Sequence, residues 1–242
     1  MLLRGSRARN MLSTLVTALI LTALVTGCAD DVVCPGVGEP DIEAFVTARV
    51  VEAAGAPRDT TWVEVHATAD TLPTLLFASV NDRQIDDVAV DELGLSVSLE
   101  DDAVIWQPGT ICSLRVTTNY GFATSSEAVP SGSEVTAPDA ITLGDSLALA
   151  WTSAVGADYY VVRAALGGNE ITATVRDTAA IIEAVDIPVA GTMRGHVEAV
   201  AGPFPETGGG GNIDGAGWGF FRVAYHDSGS TFEVAVADTA RR

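Results

Sequence analysis

Leu147-Ala148-Leu149-Ala150-Trp151 places a large apolar side chain at every second position and a small one between. A period of two is the pleat of a β-strand with one buried face, not the 3.6-residue period of a helix. The pattern recurs along the chain. Val63, Val65 and Ala67 alternate with Trp62, Glu64, His66 and Thr68, and Leu95, Val97 and Leu99 alternate with Ser96, Ser98 and Glu100. Turn-forming residues separate the runs: Gly55-Ala56-Pro57, Asn81-Asp82, Pro108-Gly109 and Asn119-Tyr120-Gly121. No long segment carries apolar residues at helical spacing. Short alternating runs between turns predict an all-β chain of antiparallel sheets, each with one wet face.

The small, polar, proline-bearing stretch Pro130-Ser131-Gly132-Ser133-Glu134 is the expected domain boundary. It divides residues 34–130 from residues 138–238, with 131–137 as linker and 239–242 as tail. The last third of the first region reads Pro108-Gly109-Thr110-Ile111-Cys112-Ser113-Leu114-Arg115-Val116, then Gly121-Phe122-Ala123-Thr124. It resembles the closing hairpin of an immunoglobulin-like sandwich. The buried tryptophan that such a sandwich implies is either Trp62 or Trp106. The second region resembles a fibronectin type III domain, on Leu147 to Trp151, then Gly156-Ala157-Asp158-Tyr159-Tyr160-Val161-Val162-Arg163, then Val197-Glu198-Ala199-Val200-Ala201. That resemblance implies that Leu147, Leu149, Trp151, Tyr160, Val162, Val197 and Ala199 point inward. It fails at the start of the sixth strand, where Met193 or Gly195 stands in place of a tyrosine. The expected fold is therefore two tandem antiparallel β-sandwiches, immunoglobulin-like and then fibronectin type III-like.

At the N-terminus, Arg4, Arg7 and Arg9 precede an uncharged apolar run from Leu12 to Val25. This is the layout of a secretory signal over residues 1–27, and a start at Met1 keeps all three arginines. Val25-Thr26-Gly27-Cys28 resembles a bacterial lipobox, which implies that Cys28 is acylated and anchors the protein in a membrane. An uncleaved helix competes poorly: Met11 to Gly27 is 17 residues, the bottom of the roughly 17–25 needed to span a bilayer. One acyl chain gives only marginal attachment, so the multiple chains of a lipoprotein cysteine are what hold it. Ala29 follows Cys28, where aspartate would resemble an inner-membrane retention signal, so the resemblance leans to the outer membrane. The tether 28–33 reaches roughly 20 Å when extended.

The signal holds three of the 13 basic residues and none of the 32 acidic ones, which leaves a charge of −22 on the remainder. All the basic residues are arginine. Such a surface repels phosphate backbones and argues against nucleic-acid binding. With Cys28 lipidated in an oxidising compartment, Cys34 and Cys112 remain as the expected disulfide pair. That bridge would contribute roughly 4 kcal/mol on the chain-entropy account. Two thiols without a CxxC or a nearby histidine give no zinc-ligand spacing.

Most other chemistry is absent from the sequence. Gly144-Asp145-Ser146-Leu147 spells an esterase tetrapeptide, but no Asp-x-x-His follows, and it opens a strand. A serine without an oriented base is a poor nucleophile; Gly144 and Asp145 read as a turn. His66, His196 and His226 lie far apart and read as exposed strand or loop residues. His226-Asp227 has no nameable partners. Gly210-x-Asn212-x-Asp214-Gly215 superficially resembles the start of an EF-hand, but Gly210 holds the first ligand position and Phe221 the twelfth. Asp82, Asp86 and Asp87, and Glu100, Asp101 and Asp102, read as solvated acidic loops. No nucleotide motif occurs. No catalytic residue, metal or cofactor is therefore assigned.

Pro203 to Gly219 reads as an unusual loop, with Gly208 to Gly211 consecutive. Glycine loses the most freedom on ordering, so Gly208–Gly219 is expected to be a mobile contact element. Asn212, Asp214 and Trp218 are the candidate binding residues. The expected role is a non-enzymatic cell-envelope lipoprotein that presents two sandwiches for protein binding, adhesion or envelope assembly. The alternative is a surface glycan-binding module using Trp218, Tyr225, Trp62 or Tyr159 as exposed platforms.

Overall fold

Runs with an apolar residue at every second position form strands in the computed structural model. It describes residues 40–47, 61–68, 77–85, 87–91, 94–101, 106–205 and 211–238, with 87–91 and 94–101 in backbone only. The signal, Cys28, the tether, Cys34, the Gly55–Pro57 turn and Gly208–Gly210 lie outside the described residues.

The first eight strands are β1 (Asp41–Thr47), β2 (Thr61–Thr68), β3 (Phe77–Val80), β4 (Arg83–Ile85), β5 (Asp87–Asp91), β6 (Gly94–Asp101), β7 (Ile111–Thr118) and β8 (Gly121–Ala128). They form two sheets, in the orders β1-β2-β6-β5 and β8-β7-β3-β4. Val63, Val65 and Ala67 are buried, as their alternation requires, and meet Cys112, Leu114 and Val116 in one core. Trp106 is the tryptophan in that core, whereas Trp62 lies half-buried on the other face of β2. The Asn81-Asp82 hairpin turn has positive φ at both residues, as a type I′ turn demands.

The second set is β9 (Val135–Thr136), β10 (Ala140–Thr142), β11 (Leu147–Trp151), β12 (Tyr159–Leu166), β13 (Asn169–Val175), β14 (Ala179–Ile182) and β15 (Gly191–Ala201). After β16 (Asp214–Gly215) and β17 (Trp218–Tyr225), β18 (Thr231–Ala237) completes it. Sheet β14-β11-β9 faces the sheet in which β12 pairs β13 and β15, and β15 pairs β18. All seven residues expected to point inward are buried in the core between them. Met193 fills that core at the missing-tyrosine position, while Tyr160 Oη accepts a hydrogen bond from the Ala154 N–H at 2.9 Å. Residues 131–137 are not a free spacer. Val135–Thr136 is a strand, Ser131 N–H donates to Val155 O at 2.9 Å, and Ser230 Oγ donates to Ser133 O at 3.0 Å.

The chain is all-β and builds two sandwiches of mainly antiparallel strands, but not from two consecutive blocks of sequence. Between β15 and β18 it returns to the first sandwich. β17 pairs in parallel with β1, from Asp41↔Trp218 to Thr47↔Ala224. β16 pairs with β8 at Asp214↔Thr124. Each sheet of the first sandwich thus gains a strand from this later segment. Ile213, Phe221, Val223 and Tyr225 complete its core; a fully buried large apolar side chain contributes roughly 1.5–3 kcal/mol. The end of β17 also pairs with β15, at Ala199↔Tyr225, Val200↔Ala224 and Ala201↔Val223. All the described strands fall in one compact unit.

Cys34, one half of the expected Cys34–Cys112 bridge, lies outside the described residues. Cys112 carries a free thiol, fully buried in the first core, and burial pushes its pKa up to about 12. Its side chain faces the apolar interior that the alternation of β7 dictates.

Gly219 has φ +142°, and a Cβ there would run into the carbonyl oxygen of Ile42. Gly219→Ala is therefore expected to lower stability by about 2 kcal/mol or more, measured by urea unfolding. A change below about 0.5 kcal/mol would mean that β17 does not lie against β1.

Candidate functional site

The outward face of sheet β16-β8-β7-β3-β4 carries the candidate site. Alternation sends Cys112, Leu114 and Val116 of β7 inward and Ser113, Arg115 and Thr117 outward. On β8 it turns Phe122 and Thr124 outward and Ala123 inward. The register sets these side chains in rows. Ser79 lies opposite Arg115, Arg115 opposite Thr124, and Thr124 opposite Asp214. Phe77, Thr117 and Phe122 form the next row. A trough of about 660 Å³ runs over this face, lined by Asn81, Asp82, Ser113, Arg115, Thr124, Ser126, Asn212 and Asp214 among others.

Its chemistry is that of hydrogen bonding with opposed charges. Hydroxyls supply donors and acceptors, Asn81 and Asn212 supply amides, Arg115 a guanidinium, and Asp82 and Asp214 carboxylates. The Arg115 guanidinium lies 5.3 Å from the centre of the Phe122 ring, and Phe122 is 57% exposed. A cation over an aromatic face beside a polar floor can hold a planar or sugar-like group, or an anchor side chain of a protein.

Asn212 builds the rim. Its Nδ2 donates to Phe221 O at 2.8 Å and to Glu127 Oε1 at 2.6 Å, and its Oδ1 accepts from Phe221 N–H at 2.7 Å. The side-chain amide thus pairs with the backbone edge of β17 that β1 leaves open. Burial raises the Glu127 carboxyl above its ordinary value, the Asn212 hydrogen bond lowers it in part, and Asp158 raises it further.

The three residues expected to form one loop site separate here. Asn212 and Asp214 line the trough; Asp214 is exposed and Asn212 half-buried. Trp218 does not line it. Trp218 starts β17 half-buried, its N–H donates to Pro40 O at 3.1 Å, and its ring stands edge-on to Phe220 at 5.2 Å. The expectation of an unpaired mobile loop fails over Gly211–Gly219, because this backbone approaches its neighbours too closely for side chains. A Cβ on Gly211 would strike Gly219 O, and one on Gly215 would lie 2.5 Å from Phe122 O.

Two of the four expected aromatic platforms are also corrected. Tyr159 and Tyr225 are 2% and 5% exposed. Burial pushes the Tyr159 hydroxyl up to about 12. Trp62 and Trp218 are half-buried. Ser146 of the esterase-like tetrapeptide lies exposed after a turn and donates to Glu183 Oε2 at 3.3 Å.

Of the three histidines, His66 is exposed as expected, and His196 and His226 are not. His66 is exposed and bonds to Glu64 at 2.8 Å. His226 is only 2% exposed, and its ring centre lies 4.5 Å from that of half-buried His196. Asp227 caps a short 3-10 turn by accepting from Gly229 N–H at 2.9 Å.

Comparisons with known proteins add little. No protein-family model and no curated protein sequence matches the chain. Among solved structures, the titin tandem immunoglobulin domains A164–A165 align at 8% identity over 84% of this chain and 98% of theirs, with a TM-score of 0.21. A Ca²⁺-stabilized adhesin with which an Antarctic bacterium binds ice aligns at 16% identity over 80% of this chain, with a TM-score of 0.24. This chain spans 49% of that adhesin.

The two rim residues should behave differently. Asn212→Ala leaves the Phe221 backbone without its amide partner and is expected to cost about 1–3 kcal/mol. Asp214→Asn, an exposed change, is expected to stay within about 0.5 kcal/mol. Equal effects in thermal melts would contradict this assignment.

Proposed function

We propose that the protein is a non-enzymatic binding module of the bacterial cell envelope, held to a membrane by acylated Cys28 and binding an external protein through the trough. The observation that carries this reading is exposed Arg115, set in a row of hydroxyls with Asp214 on the far side of Thr124 and packed over the exposed Phe122 ring of the next row. Arginine and aromatic side chains are the residues that most often anchor protein interfaces. A charged pair of opposite sign also sets the orientation of a partner. Rigid strands rather than a flexible loop carry these groups, so little ordering cost falls on binding. Among the described residues no helix is long and apolar enough to cross a membrane; attachment through Cys28 needs none.

A glycan-binding role is the second reading. The hydroxyl and amide lining favours it, with Phe122 as the stacking ring in place of the aromatic residues expected from the sequence.

Binding of wild-type protein to arrays of envelope and surface proteins, and of polysaccharides, tests both. Arg115→Glu is expected to abolish capture of the bound component while leaving the melting temperature within a few degrees, because Arg115 is exposed. Capture that survives Arg115→Glu and Phe122→Ala would place the binding surface elsewhere. A wild-type signal confined to polysaccharides would select the second reading.

A further inference from the structure

We infer that His196, Glu198 and His226 form a binding site for a divalent transition metal of the zinc class, set where β17 and β18 exchange places beside β15. His196 and Glu198 are two apart on β15 and project from the same face, opposite to the core-facing Val197 and Ala199. β15 pairs with β18 as far as His196↔Thr231, and with β17 from Ala199↔Tyr225. His226 immediately follows β17, so this change of partner brings it back to His196. A ring nitrogen of each histidine and a carboxylate oxygen of Glu198 lie within 4.8 Å of one another.

Glu198 is the decisive group. It is only 5% exposed. Its Oε1 accepts from Arg163 Nε at 3.0 Å and lies 3.2 Å from His196 Nε2. Its Oε2 is buried with no hydrogen-bond partner among the described residues. An unpaired buried carboxylate oxygen is costly. A bound cation accounts for it, with Oε2 on the metal and Oε1 kept by Arg163 as an outer partner.

Two imidazoles and one carboxylate suit zinc and its first-row neighbours rather than calcium or magnesium, which take oxygen ligands. Ligand atoms around tetrahedral zinc at about 2.0–2.1 Å stand roughly 3.3 Å apart. Small side-chain rotations close the remaining gap. The His196 side chain is 18% exposed, which leaves an entry path from solvent. The two metal-binding histidines come from β15 and from the end of β17, so the ion would fasten the strand junction.

Titration of chelator-treated protein with Zn²⁺ or Co²⁺ alone tests the site. The expected result is one tight equivalent, a tetrahedral ligand-field spectrum with Co²⁺, and a zinc-dependent rise in melting temperature. Glu198→Gln and His226→Asn should each weaken binding by about 100-fold or more, at least the cost of losing an outer partner. His66→Ala, at the exposed histidine–glutamate pair, should leave it unchanged. Absence of a saturable equivalent, or of the tetrahedral spectrum in the wild type, overturns the proposal whatever the variants do. Binding that survives both ligand substitutions overturns it as well.

Discussion

The hydrogen bonding of β17 on both of its edges is the constraint on which the rest of the structure depends. One edge lies along β1, and the other is taken up by β15 and the Asn212 amide. β1 would otherwise end its sheet with a row of open backbone groups, a liability in any sheet protein. β17 covers it and adds Phe221, Val223 and Tyr225 to the core below. Because the same strand continues into pairing with β15, the two sandwiches share one sheet. Gly219 permits the close approach of β17 to β1, and Gly215 that of β16 to β8.

The same arrangement explains how the faces differ in use. At the junction, the outer face of the shared sheet is covered: Tyr159, Val161, Val200 and Ala224 pack together with half-buried Phe45 and Phe204. Charged groups caught on that face, such as Glu198, must find partners in the protein. The outer face of sheet β16-β8-β7-β3-β4 has no such cover at Phe122 or Arg115, so its groups stay available to a ligand.

Local patterns in the sequence revealed the strands, and the two cores emerged wherever alternation was clean. Leu147, Leu149 and Trp151 point inward because a period of two leaves them no other face. The turn at Asn81-Asp82 was equally visible, though not its type. Pairing between distant segments was not legible. Gly211 to Gly219 reads as a flexible loop when glycine is taken only for its entropy, since nothing nearby in sequence shows that Ile42 and Phe122 will press against its backbone. The burial of Cys112 was not legible either, because cysteine count and compartment say nothing of which way β7 faces. His196 and Glu198 carried a weak signal in their spacing of two, but His226 joins them only through the exchange of β18 for β17.

The central claim is that β17 makes the two sandwiches one cooperative structure. Scanning calorimetry of the full-length protein tests it most directly, combined with hydrogen exchange along β1 and β11. The account predicts a single transition whose calorimetric and van't Hoff enthalpies agree, with amides of Ile42–Val46 and Leu147–Trp151 opening at the same free energy. Two resolved transitions, with Leu147–Trp151 still protected after Ile42–Val46 has exchanged, would contradict it.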